Sequence, residues 1–279
     1  MADSFSMDNT TLLNSISYRA RALEASKIRE VAELGMKQDG VLPLWFWKGD
    51  GSILRSSGQV MESPHWADDM GEEPEIAGIY LNGKNGQPFR LGYALANELS
   101  DHVMERKNYL FLSHSKLRVC GLGPELLVGD LPSDVQGMSR IYRGGEVLWE
   151  RPFVSGEDNM THALSNLEYH HFKYPLFRQP GRVNVHVFGT ATLSFVDGIT
   201  LQDNDIMEID CPQFGRPLRN PVRTQHIDGP TVFTTVSCAR KTEKPKAGGR
   251  FSIHKSLSAA PQRNPIVIQS HQLLKVPKV

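Results

Sequence analysis

A β-rich α+β domain is the fold class this sequence predicts, on three observations. Between Leu42 and Val222 the apolar residues fall mostly in short runs or strict alternation, the period of half-buried strands. These runs are parted by Asn-Gly, Gly-Gly and Pro-Gly pairs, the turn chemistry of hairpins. Only two stretches carry helical periodicity, too few for an α/β or all-α layout.

The elements follow in order. Residues 1–40 read as a short N-terminal helical segment, with Ile28, Val31, Ala32 and Met36 on one face until Asp39-Gly40 ends it. Ile76 to Leu81 is an apolar strand. Asn82-Gly83 and Asn85-Gly86 turn it into a second run, Phe89 to Ala96, as a hairpin. Residues 78–84 match the front of a phosphate loop, but Asn85 stands where Ser or Thr is required and the setting is strand–turn–strand, so the match is rejected. A second hairpin spans Arg140 to Trp149 around Gly144-Gly145. A helix from about Glu157 puts Met160, Leu164, Leu167 and His171 on one face. Pro180-Gly181 leads into the alternating Val183, Val185 and Val187, Gly189-Thr190 interrupts, and Ile206 to Ile209 gives a further strand.

The 279 residues suffice for one large domain or two small ones, and 39% apolar with 22% charged content is ordinary for a soluble protein. No apolar run approaches the ~20 residues that cross a bilayer. The first thirty residues lack a secretory apolar core and carry Asp3, Asp8 and Glu24. Cys120, Cys211 and Cys238 have no paired spacing, which points to a reducing, cytoplasmic setting. The formal net charge is zero but unevenly spread: residues 223–279 hold ten Lys or Arg against Asp228 and Glu243, leaving 21 basic and 29 acidic side chains in 1–222. With its Ser, Thr, Pro and Gly content, 223–279 reads as a flexible basic C-terminal extension that the core does not need, and nucleic acid is not its expected partner.

Glu73 and Glu75 carry the chemistry. Strand side chains alternate faces, so extending the Ile76 strand backwards puts both carboxylates on one side, close enough to share a cation. Hard oxygen donors at that spacing suit Mg²⁺, Mn²⁺ or Ca²⁺. The same pair beside Pro74 also fits a solvated strand entry. His102, His114, His170 and His171 lack zinc-type spacing and read as packed or hydrogen-bonded side chains.

An ordered set of motifs resembles the fumarylacetoacetate hydrolase superfamily. It comprises Phe46-Trp47-Lys48, Glu73 and Glu75, Asn97-Glu98-Leu99-Ser100, Lys116, Gly123-Pro124, Pro180-Gly181, Gly189-Thr190 and Gly215-Arg216-Pro217, and it runs from about Pro43 to Val222. Trp45-Phe46-Trp47-Lys48-Gly49-Asp50-Gly51, Ser100-Asp101-His102-Val103-Met104-Glu105, His114-Ser115-Lys116-Leu117-Arg118 and His170-His171-Phe172-Lys173-Tyr174 are similar to its GguC-type sugar-acid branch. The resemblance implies a mixed β-roll of that superfamily's C-terminal type over residues 41–222. It implies Glu73, Glu75 and Glu98 as ligands of a Mg²⁺-like ion, Lys116 as the catalytic group, and Lys48, Asp50 and Thr190 as substrate-binding residues. Glu98 stands where most members have Asp, an arrangement similar to 2-keto-3-deoxy-pentonate dehydratases. The implied activity is dehydration of a 2-keto-3-deoxy sugar acid through a metal-stabilised enolate, with Lys116 as a positive charge, proton donor or base. C–C hydrolysis of an acylpyruvate would use the same enolate. Residues 1–40 resemble the longer N-terminal region of relatives poorly, which leaves a catalytically silent, shortened relative as a third reading. A homodimer is implied by resemblance alone.

Overall fold

The computed structural model describes residues 42–226 and the backbone of 266–271, with the side chain of Ile268. The expected N-terminal helix and the basic run Ala239 to Arg250 lie outside the described residues. Among those described, no helix is long and apolar enough to cross a membrane.

Two mixed sheets account for most of the chain. The larger contains β1 (Trp45–Asp50), β2 (Leu54–Ser56), β4 (Pro74–Asn82), β5 (Pro88–Glu98), β6 (Cys120–Leu122), β9 (Val183–Phe188) and β12 (Ile266–His271), in the order β1-β12-β9-β4-β5-β6-β2. The smaller has the order β3-β11-β10-β7-β8, from β3 (Met61–Ser63), β7 (Val135–Arg143), β8 (Glu146–Ser155), β10 (Ile206–Asp210) and β11 (Leu218–Thr224). The helices described are α1 (His102–Lys107), α2 (Leu112–Ser115) and α3 (Leu164–Phe172). The chain is thus a β-rich α+β fold, as its patterning predicts.

Both hairpins form where the turn pairs place them. β4 and β5 pair antiparallel from Pro74 opposite Asn97 to Asn82 opposite Pro88. β7 and β8 join through Gly144 and Gly145, both at positive φ, the backbone that a two-residue hairpin needs and that glycine adopts without strain. The helix expected from Glu157 begins instead at Leu164. Asn159 is spent on the Asp134 carboxylate and the Ser155 carbonyl, and Glu157 accepts from the Leu164 N–H at 2.7 Å, so these residues build a turn that leads into the helix.

The larger sheet curls on itself. A flat sheet of seven strands would hold its edges about 29 Å apart at ~4.8 Å spacing. Its edge strands β1 and β2 are joined by residues 51–53 alone, and the extended chain from Asp50 to Leu54 spans at most about 14 Å. The edges must approach each other, so one face turns inward. That face carries Ala77, Ala96, Cys120, Val185, Val187 and Ile268. The opposite face contributes Ile76, Tyr93 and Leu95 to a second core with Val135, Phe153, Ile209 and Leu218 of the smaller sheet.

One expectation is corrected here. Residues 266–271, read as part of an extension outside the domain, form β12 between β1 and β9, and Ile268 is fully buried. Ile266-Val267-Ile268 is a short β-branched run inside a basic, Pro- and Gly-rich background, and its pairing partners on β9 lie 83 residues back.

Candidate metal centre

The end of the β4–β5 hairpin brings three carboxylates together. Continuing the register past Pro74 and Asn97 sets Glu73 opposite Glu98, and the Glu98 N–H donates to the Glu73 carbonyl at 3.2 Å. Opposed residues in an antiparallel pair share a face, and Glu75 shares that of Glu73, so all three point into the curled sheet. Each offers a carboxylate oxygen within 4.8 Å of the others, and all are buried. The alternative of a solvated strand entry is excluded by that burial.

Two lysines converge on the trio. Lys116, which follows α2, places its ammonium on the Glu73 carboxylate, 3.6 Å from Glu98 Oε2, 3.7 Å from Glu105 Oε2 and 3.2 Å from Ser100 Oγ. Lys48 sits at a bulge in β1, where the pairing slips between Trp47 and Gly49; the bulge aims it inward to Glu98 Oε1 at 3.2 Å and to the Lys116 carbonyl. Neighbouring Asp50 is exposed instead, and its carboxylate accepts from the Ser52 N–H at 2.9 Å, so it is not brought to the trio. Thr190 is half-buried, and its hydroxyl accepts from the Thr192 N–H at 3.2 Å.

The charges set one another. Burial raises Glu75 well above the usual carboxylate range, and the Glu98 and Glu73 charges raise it further. For Glu73 burial acts in the same direction, but Lys116 and His102 outweigh it and hold the carboxyl low. Burial opposes the charge on Lys116, yet Glu73, Glu98 and Glu105 raise its pKa, so the ammonium form persists. His102, the first residue of α1, is likewise opposed by burial and raised to about 9 by Asp69 and Glu73. Its Nε2 lies 3.2 Å from Glu73 Oε1 and its Nδ1 3.5 Å from Asp69 Oδ2. Its ring packs so closely on Gly71 that a Cβ there would meet Nδ1 at 2.4 Å.

These residues fit a divalent cation. Both oxygens of Glu75 are buried without a hydrogen-bond donor, an arrangement that costs free energy unless a proton or a cation compensates it. Three carboxylates also form the all-oxygen donor set of Mg²⁺, Mn²⁺ or Ca²⁺. His102 is buried and hydrogen-bonded, in keeping with its sequence reading, while His114 is exposed.

Sequence reasoning gave no role to Glu72, His102 or Glu105. Glu72 sits beside the pair but alternates to the opposite face. Glu105 follows His102 by three residues, one helical turn, which is the signal that groups them on one side of α1.

The fold is shared with solved structures of a dehydratase. Solved structures of 2-keto-3-deoxyarabinonate dehydratase, in a hexagonal crystal form and in complex with magnesium and 2,5-dioxopentanoate, superpose with TM-score 0.52 at 23% identity, over 63% of this chain and 60% of theirs. The apo form gives TM-score 0.50 at 24% identity over the same shares. This likeness shows the fold, and the match takes in about 60% of those chains' length. No family model and no curated protein sequence matches the chain.

Proposed function

We propose that the protein is a divalent-metal-dependent dehydratase of a 2-keto-3-deoxy sugar acid, Glu73, Glu75 and Glu98 holding the ion. The observation that carries the reading is the buried trio with the donor-free Glu75 at its centre, flanked by a charged Lys116 on the fold of a dehydratase. The curled sheet supports assigning the domain to the mixed β-roll of the fumarylacetoacetate hydrolase type.

A Mg²⁺ held by Glu73, Glu75 and Glu98 would supply Lewis acidity toward an α-keto acid substrate. Lys116 presents positive charge where the 2-oxo oxygen becomes negative as C3 loses its proton. Glu73, Glu98 and Glu105 hold it in its ammonium form without a cation; a cation on those carboxylates would lower its pKa, so that Lys116 takes the C3 proton and returns it to the departing 4-hydroxyl. Glu105 faces the same ammonium at 3.7 Å and keeps 27% side-chain exposure, so a proton passes between Lys116 and solvent by way of a partly open carboxylate. Loss of the C3 proton and the 4-hydroxyl removes one water and leaves an unsaturated keto acid, which proton shifts convert to the isomeric 2,5-dioxo acid. Lys48 keeps Glu98 oriented, and Thr190 contacts the substrate carboxylate.

The test is incubation with Mg²⁺ and either a 2-keto-3-deoxy-pentonate or an acylpyruvate, followed by product analysis. A semialdehyde formed from the first is the expected result. Pyruvate released only from the second would establish C–C hydrolysis instead. Metal binding with turnover of neither would leave a silent relative.

A further inference from the structure

A buried carboxylate that the mechanism above does not use lies one residue before the trio. Glu72 is 0% exposed, and its two oxygens accept from the Ser194 backbone N–H and the Ser194 hydroxyl, each at 2.7 Å, across 122 residues of sequence. Ser194 opens the 3₁₀ turn Ser194–Asp197, whose Phe195 ring stacks on His102 with centroids 5.2 Å apart. His102 in turn touches Glu73 at 3.2 Å. The other flank of the loop meets the site through the sheet. β9 pairs with β4 with Ala77 opposite Val187, and continuing that register puts Gly189 beside Glu75 and Thr190 beside Pro74.

We infer that Glu72 is a positioning residue: it clasps the loop 189–198 across the mouth of the carboxylate site, fixing Thr190 at one side and the Phe195–His102 stack at the other. The inference rests on the proposed function in one respect, that Thr190 meets substrate. A buried carboxylate carrying two donors of a single residue is a strong, directional tether, because either partner left alone in that interior is unsatisfied. The loop has two other anchors, the Trp149 indole N–H donating to Asp197 Oδ2 at 2.7 Å and the Thr192 hydroxyl donating to the Pro152 carbonyl at 3.1 Å, so losing the clasp loosens the loop without unfolding it.

The carboxamide of Glu72→Gln still accepts from the Ser194 N–H and donates to the hydroxyl oxygen, keeping both bonds while removing the charge. Glu72→Ala and Ser194→Ala remove bonds. Mg²⁺ affinity, pyruvate affinity of the Mg²⁺-loaded full-length protein, and KM against kcat for the keto acid are measured for all three. Expected are pyruvate affinity and KM worsened about tenfold or more in the two alanine variants, with kcat less affected, Mg²⁺ affinity within about threefold, and near-normal values in Glu72→Gln. Pyruvate affinity and KM unchanged in folded Ser194→Ala, or Glu72→Gln as impaired as Glu72→Ala, would overturn the clasp. Wild type that binds Mg²⁺ and pyruvate but dehydrates nothing would remove the proposed reaction while the pyruvate arm still decides the clasp.

Discussion

Glu75 is the residue at which stability and binding pull in opposite directions. Its folded pKa is raised, by burial first and then by Glu98 and Glu73. A carboxyl raised in this way penalises the folded state above its unfolded pKa of about 4.3, and the penalty grows with pH until the folded group ionises. Removing the charge relieves it. Metal-free Glu75→Gln is therefore expected to unfold at a higher temperature than wild type at pH 7. Calorimetry on Glu75→Ala should show Mg²⁺ binding weakened more than about a hundredfold, beyond the roughly 10–100-fold typical of changing an outer partner of a ligand. Unchanged Mg²⁺ affinity would sink the ligand assignment. Glu98→Asp withdraws the third carboxylate by one methylene, and it should lose dehydration while retaining measurable metal binding.

At the scale of elements, β12 is the strand on which the larger sheet depends. It pairs with β1 on one side and β9 on the other, and without it β9 would present an open edge and β1 would lose its pairing to the sheet. Ile268 sits in the inward-facing core with Val185 and Val187. Ile268→Ala is expected to cost about 2–5 kcal/mol, read as a lower denaturant midpoint at unchanged slope. A cost below ~0.5 kcal/mol would mean that the strand is not held in the sheet. A chain ended at residue 225 should lose stability for the same reason, the reverse of what a dispensable extension would show. The smaller sheet has a charged counterpart on β10. Burial acts to raise the Glu208 carboxyl, but Arg140 at 2.7 Å and the Arg219 guanidinium outweigh it and hold the carboxyl low. The contribution is present above the unfolded pKa and lost as pH falls below about 4.3 through the folded value. Glu208→Gln should thus flatten the acid limb of the stability–pH curve, and an unaltered limb would show that the pair adds nothing.

For the whole molecule, a cation that binds only the folded chain is a ligand of folding. At a hundred times its Kd it stabilises by about 2.7 kcal/mol, so the thermal midpoint should climb with Mg²⁺ and fall back on chelation. Glu98→Gln should abolish the climb. A midpoint indifferent to Mg²⁺, Mn²⁺ and Ca²⁺ alike would remove the metal centre and the reaction proposed for it.

Much of this architecture is legible in the chain itself. Period-two alternation, Asn-Gly and Gly-Gly turns, and the spacing of Glu73 and Glu75 are local signals, because strand pleat and turn backbone depend on neighbouring residues only. The motif order from Pro43 to Val222 added Glu98 and Lys116 by resemblance. The tertiary structure decided what local pattern does not encode. A bulge at Lys48 turned one expected substrate residue into the site while its neighbour Asp50 stayed in solvent. Ser194 reached Glu72 across 122 residues, and Ile266–His271 found a place between strands that begin far earlier. Each of these is a long-range matter: burial of a charge, and the partner that makes burial tolerable, depend on which distant strands meet rather than on periodicity along any one of them.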